Sequence, residues 1–368
     1  MINSDKVSKE RYAFIDLLKF IAIFFVLFYH FSYYNYNFLT DANFSSYLYY
    51  YIRAILSCCV PLFFFINGAL ILNKTFDLKK HVKKLVRIVI LTILWALIEL
   101  IVIMFIKGEY LSLLEIFKGI IQLKHGWINH LWFMGALFTV YIFAPIIKSA
   151  FDSPDGKKNF HFFLIAFCLF SFGNSLLSMC INCLEYFMKA DILANNNNTF
   201  AGFNTIRGVM LYSLSYFMLG GLMFANRNKM LDKHFKIYSI FAIFISMIGL
   251  TLYGIMMSNT DEKIFDIVWN GYDSVFTLIN VCAFFIITFS YKGDKKLGKY
   301  LKIVGENTLG IYIIHILVIE LLKPIYTSIA IHNNIIFNIF FVVIILNISL
   351  AITLLLKRVP LVKELVKI

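Results

Sequence analysis

Charge is scarce in this chain. Of its 368 residues only 15% are Asp, Glu, Lys or Arg, against roughly a quarter in a soluble domain. Hydrophobic residues make up 60%, and the mean hydropathy is strongly positive. That balance excludes an ordinary soluble globule and sets the class as a polytopic membrane protein. Cysteine is sparse too, with six residues and no disulfide framework. Cys58 and Cys59 are adjacent inside an apolar stretch, and Cys180 and Cys183 form one CxxC without a second pair. Four zinc ligands are therefore not assembled by spacing, and no metal is expected. No low-complexity tail, separate soluble domain or convincing internal repeat is expected from the sequence. The first apolar run lacks a small-residue cleavage site, so it is expected to be retained. Acidic residues are the minority, 21 against 34 basic ones, giving a net charge of +13. In a soluble protein this excess would point to nucleic acid; here basic cytoplasmic loops account for it.

What is present is a series of long apolar runs. Ten spans are expected, at 12–34, 47–73, 86–106, 131–149, 159–180, 205–226, 236–258, 273–291, 303–323 and 334–356. Length and continuous apolarity make them helical, so the expected fold is all-α, one transmembrane domain over 1–368. Ten spans place both termini on one side. The loops of that side hold 25 Lys and Arg and those of the other side six, with Lys19, Arg53 and Arg207 in or at the edge of spans. The asymmetry puts both termini in the cytoplasm of a cell membrane, plasma or inner. The longest outer loop, about 181–204, contains an NNNNT run.

Ionisable residues inside spans are costly and mark functional sites by default. The first span, RYAFIDLLKFIAIFFVLFYHF, carries Asp16, Lys19 and His30. Asp16 and Lys19 are three apart, close enough to pair. Lys19 and His30 are separated by about three turns and Asp16 and His30 by two heptads, so all three share an interior face. His30 lies roughly 16 Å deeper than Lys19. A neutralised pair at the membrane edge and an interhelical hydrogen-bonding imidazole are the structural alternatives. In the second span Asn67 is a buried amide and Gly68 permits close helix approach. Lys84 and Arg87 are one turn apart at the cytoplasmic end of the third span and can meet one phosphate. Glu99 sits near mid-membrane and His315 at mid-depth, with Glu320 further out; Arg53, His130 and Trp132 edge the outer mouth. A basic inner face with imidazoles and carboxylates beyond it suits an anionic donor from one side and an acceptor from the other.

These residues resemble the acyltransferase-3 family of integral-membrane O-acyltransferases. The likeness is carried by Asp16, Lys19 and His30; by Phe63, Phe64, Phe65, Ile66, Asn67 and Gly68; by Lys84 and Arg87; by Leu131, Trp132, Phe133, Tyr141 and Pro145; and by Gly310, Ile311, Tyr312 and His315. Two positions depart from the family pattern: Lys19 stands where relatives carry Arg, and Asn67 where they carry Ser. Lys keeps the charge but lacks the planar fork of Arg. The length is similar to that of small stand-alone members that acetylate surface glycans or their lipid-linked precursors.

The resemblance implies acetyl-CoA, or a close acyl-CoA, as donor. Its phosphates are expected at Lys84, Arg87 and Lys19, with the thioester near His30. His30 is the expected general base on an acceptor hydroxyl, with a covalent acetyl-histidine as the open alternative. Asp16 is expected to orient or neutralise Lys19, since it lies about 21 Å in depth from His30. Arg53, Glu99, His130, Trp132 and His315 are the candidates for the acceptor pocket. The rival reading is an ion-coupled secondary transporter or flippase using the same buried groups as a proton relay. The missing repeat and the lack of Gly/Pro-broken helix pairs weigh against it.

Overall fold

The computed structural model describes residues 11–122, 126–189, 211–230, 232–360 and 362–366, and among them every regular element is helical. The first helices are α1 (Ala13–His30), α2 (Phe44–Ala54), α3 (Cys59–Leu72), α4 (Leu78–Lys107) and α5 (Leu113–Gln122). The middle of the chain forms α6 (Trp132–Asp152), α7 (Gly156–Cys168), α8 (Asn174–Met188) and α9 (Leu211–Ala225). The last helices are α10 (Lys233–Thr260), α11 (Val275–Thr288), α12 (Leu297–Thr327) and α13 (Ile335–Leu356). A 3-10 turn joins α2 to α3, and a π turn at Leu169–Gly173 joins α7 to α8, so each pair is one continuous rod.

Among the described residues, eight helical stretches are long and apolar enough to cross a membrane, and α9 and α11 are shorter apolar helices. The protein is an all-α polytopic membrane protein. Residues 205–210 of the expected sixth span, Arg207 among them, lie outside the described residues. In lipid each backbone group has to be satisfied within the helix, which is why apolar runs of this length take no other form. Polar caps set several boundaries. The Asp77 side chain accepts from the Lys80 N–H at the start of α4, while Asp232, Ser274 and Asn334 cap α10, α11 and α13 in the same way.

Burial sorts the helices. α3 is enclosed almost all round, whereas α10 exposes Phe241, Phe244 and Ile245 on its outer face. α3 and α9 meet backbone to backbone. A Cβ on Gly68 would lie 1.7 Å from the Phe217 carbonyl oxygen, and one on Gly220 would lie 2.0 Å from that of Phe65. Gly68 thus does what its small size allows, bringing two inner helices into contact. The loop after α4 holds an element that the apolar-run reading passed over: α5 is amphipathic, with Leu113, Leu114, Phe117 and Ile121 exposed. Such a helix suits the membrane interface better than water.

The helix ends define two faces. On one, Arg11 reaches Glu306 and the Lys302 carbonyl, Arg87 reaches Glu364, and Lys357 reaches Asn307. This is the basic face. On the opposite face the Asn35 N–H donates to the Asn333 carbonyl at 3.3 Å, and the Tyr29 hydroxyl donates to Asp266 at 2.7 Å.

Candidate active site

The basic face opens into a cavity of about 480 Å³. Lys19 from α1, Lys84 and Arg87 from α4, and Lys357 from the end of α13 line its mouth, with Glu306 beside them. Deeper, the lining turns apolar through Phe63, Ile66, Phe133, Leu137 and Leu309, and it includes Tyr312. The three basic residues of the sequence reading therefore share one chamber. A cationic mouth with an apolar neck matches an anionic headgroup carrying a slender chain.

The expected Asp16–Lys19 pair does not form. Arg11 takes both carboxylate oxygens of Asp16, Nη2 at 2.8 Å and Nε at 2.9 Å. Lys19 instead donates to the Gly305 carbonyl at 3.3 Å. Arg11, just ahead of α1, offers a planar fork that fits a carboxylate, which a lysine one turn away lacks. The absence of a side chain at Gly305 is what admits Asp16, since a Cβ there would lie 2.6 Å from Asp16 Oδ1. Lys19 is left facing the cavity with a neutral partner.

A polar chain crosses the same chamber. Lys84 donates to the Tyr141 hydroxyl at 3.2 Å, and Tyr141 donates to Asn67 Oδ1 at 2.6 Å. Asn67 in turn donates to the Phe63 carbonyl at 2.8 Å. The Asn67 amide, buried in an apolar span, thus has partners at both ends, and the chain fixes Lys84 at the cavity wall. Arg87 is held from the other side, by the Glu364 carboxylate and by its backbone carbonyl at 3.1 Å.

Beyond Tyr312 lies a second cavity of about 470 Å³, lined by His30, His130, Trp132, Trp269 and Tyr272 among others. Tyr312 lines both chambers. Three imidazoles converge here from α1, the turn before α6, and α12. Ring centroids are 5.2 Å apart for His30 and His315, 5.3 Å for His130 and His315, and 6.3 Å for His30 and His130. His315 donates through Nδ1 to the Tyr312 carbonyl. This fixes its neutral tautomer and leaves Nε2 as a buried acceptor that takes no hydrogen bond from a described residue. The Tyr312 hydroxyl donates to the His130 carbonyl. His130 Nε2 lies 3.4 Å from Glu99 Oε2, with both side chains buried. The contact has ion-pair distance but not hydrogen-bond alignment. His30, the last residue of α1, is in the lining of this cavity. Among the described residues no three His, Cys, Asp or Glu side chains are placed to hold a metal ion.

The remaining candidates have different surroundings. Trp132 stacks edge-on against Trp269 at 4.9 Å, so it belongs to the cavity wall and not to a lipid-facing belt. Arg53 is buried between the rings of Tyr36 at 4.4 Å and Tyr29 at 5.1 Å, and lies 3.7 Å from Asp266. It does not line the His30 cavity; it ties the 261–274 loop to the end of α1. Glu320 lies 3.6 Å from Lys107, away from both chambers. Residues that the sequence reading passed over are Arg11, Lys357 and Glu364 on the basic face, and Asp266, Trp269 and Tyr272 on the other.

The fold and these two chambers define a helical membrane protein with a basic pocket on one face and a histidine-lined one toward the other. A family model described as an acyltransferase domain, of the acyltransferase-3 type, matches residues 12–357, nearly the whole chain. The chain belongs to the acyltransferase-3 family and is a membrane acyltransferase. No curated protein and no solved structure matches it.

Proposed function

We propose that the protein transfers an acetyl or short acyl group from cytoplasmic acyl-CoA to a hydroxyl of a surface or lipid-linked glycan on the far side of the cell membrane. The observation that carries this reading is the pair of chambers with Tyr312 in common. The basic mouth of Lys19, Lys84, Arg87 and Lys357 suits the phosphates of a CoA thioester. The apolar neck suits its pantetheine arm, and the roughly 16 Å rise from Lys19 to His30 along α1 is on the scale of that arm. The 25 to six division of basic loop residues supports a cytoplasmic basic face.

In the reaction, His30 takes the proton of the acceptor hydroxyl as the oxygen attacks the thioester carbonyl. Collapse of the tetrahedral adduct breaks the carbon–sulfur bond. The CoA thiolate leaves and recovers the proton from the imidazolium, so the products are the O-acyl ester and free CoA thiol. His315, with its acceptor nitrogen exposed to the histidine cluster, and His130, held near Glu99, position the ring of His30. Lys19 and Arg11-bound Asp16 act at the donor end.

The test is acetyl transfer by purified protein in nanodiscs. His30→Ala is expected to abolish transfer while acetyl-CoA still binds. Lys84→Ala/Arg87→Ala is expected to weaken acetyl-CoA binding. Full transfer by His30→Ala removes the proposed base, and unchanged donor affinity in the double variant removes the proposed donor site. Mass spectrometry of envelope glycans with and without the gene identifies the acceptor by its missing acetyl group.

A further inference from the structure

A third chamber takes no part in the proposed reaction. It opens beside the 261–274 loop on the face opposite the basic one, holds about 620 Å³, and shares Trp269 and Tyr272 with the His30 cavity. Anything seated in it is therefore one aromatic wall from the histidine cluster.

Its lining differs in kind from the donor cavity. Trp269 presents a ring that is 42% exposed, and Tyr253 and Tyr272 stand in the same wall. Carboxylates of Asp261, Asp266 and Asp273 and the amide of Asn270 supply hydrogen-bonding groups, with Lys263 the single cation among the described lining residues. Asp266 is offset by Arg53 at 3.7 Å and by the Tyr29 hydroxyl. Asp261 and Asp273 remain against Lys263. Flat aromatic faces suit the C–H faces of pyranose rings, and carboxylates and amides suit their hydroxyls. A surplus of carboxylates disfavours an anionic ring by like-charge repulsion.

We infer that this chamber is the acceptor subsite and that it takes uncharged or cationic, hydroxyl-rich sugar rings in preference to anionic ones. The inference rests on the proposed acyl transfer and names the acceptor class for it. Trp269 and Tyr272 hold the ring at the boundary with the His30 cavity, and Asp261 and Asp273 set the charge that the subsite accepts.

The experiment is competition. Full-length protein in nanodiscs is supplied with acetyl-CoA and with envelope glycans from cells lacking the gene, and both CoA thiol release and glycan acetylation are measured. Three tetrasaccharides are added as probes: N-acetylated chitotetraose (neutral), its deacetylated form (cationic) and tetragalacturonate (anionic). The neutral and cationic probes are expected to inhibit glycan acetylation at concentrations about twofold to fivefold below the anionic one, the scale of a single exposed charge contact. Asp261→Asn/Asp273→Asn is expected to narrow the gap between the cationic and anionic probes. Equal or stronger inhibition by the anionic probe overturns the charge assignment. Acetylation that none of the three inhibits overturns the subsite. A gap unchanged in the double variant overturns its placement in this chamber. No thiol release under any condition overturns the acyl-transfer reading itself, and the inference with it.

Discussion

Arg87 and Glu364 stand 277 positions apart in the chain and pair across the mouth of the basic cavity. The contact belongs to a short C-terminal turn, Lys363–Val366, laid against α4. The Trp95 indole donates to the Leu365 carbonyl at 2.7 Å, and Val366 is buried in the cavity lining. Glu364 thus occupies the guanidinium that the proposed donor phosphate would meet. Glu364→Gln is expected to lower the KM for acetyl-CoA by about twofold to fivefold, the range of one surface ion pair, with kcat unchanged. Steady-state kinetics at fixed acceptor read it. A raised KM would mean that Glu364 holds Arg87 in its working position.

His315 holds the acceptor nitrogen of the histidine cluster in place through its bond to the Tyr312 carbonyl. His315→Gln is expected to lower kcat and leave the KM for acetyl-CoA within about twofold, since the residue is remote from the basic mouth. The fall should be smaller than that of His30→Ala, for which loss of a general base predicts about 10²–10⁴-fold. The two variants are compared by acetylation rate at saturating donor. A larger loss at position 315 than at 30 would reassign the base.

Gly68 tolerates no side chain. The contact it would meet is backbone, the Phe217 carbonyl, which cannot rotate away. Gly68→Ala is expected to destabilise the bundle by about 1–3 kcal/mol or more through overpacking. Thermal unfolding in detergent measures this, with Gly135→Ala as control, because a Cβ there meets nothing within 4 Å.

Asp273 lies in the loop ahead of α11, where burial, only partly offset by a hydrogen bond from the Ser175 hydroxyl, pushes its carboxyl up from 3.8 to about 6. The sign follows from linkage. Between those values the folded protein holds more protons than the unfolded chain, so stability falls as pH rises through the window, and the loss is complete above about 6. Asp273→Asn is therefore expected to stabilise the protein at pH 7 to 8, by at most about 3 kcal/mol. The gain should vanish below pH 4. Unfolding midpoints across pH 4 to 8 check both limits, and a gain that persists at pH 4 would exclude the carboxyl as its source.

The parts of the site legible in the sequence are those fixed by helical phase along one segment. The 3.6-residue period and the direction of the membrane set Lys84 and Arg87 one turn apart at the cytoplasmic end and Lys19 on the interior face of its span; their common site was an expectation from the family resemblance. The meeting of His30 with His130 and His315 is different. It depends on how three helices distant in sequence cross, and no local period encodes that. Arg11 was hidden by a correct generalisation, since it counted as one more basic residue near a helix end. Asp261, Asp266 and Trp269 were hidden because a polar loop between apolar spans reads as solvated, and Asp273 stood as the first residue of the expected span 273–291. Only the folded chain brings that loop down against Tyr29 and Arg53. The α5 helix escaped for a related reason, because a search for continuous apolarity passes over a half-apolar segment.

Tyr312 is the residue that the donor and histidine chambers share. One phenol ring, tied to a backbone carbonyl, therefore stands in the walls of both. In the proposed reaction an acyl group of two or three carbons is handed past Tyr312, while the bulky nucleotide stays at the basic mouth. That scheme would couple the chemical potential of a thioester held on one side of the membrane to ester formation on the other.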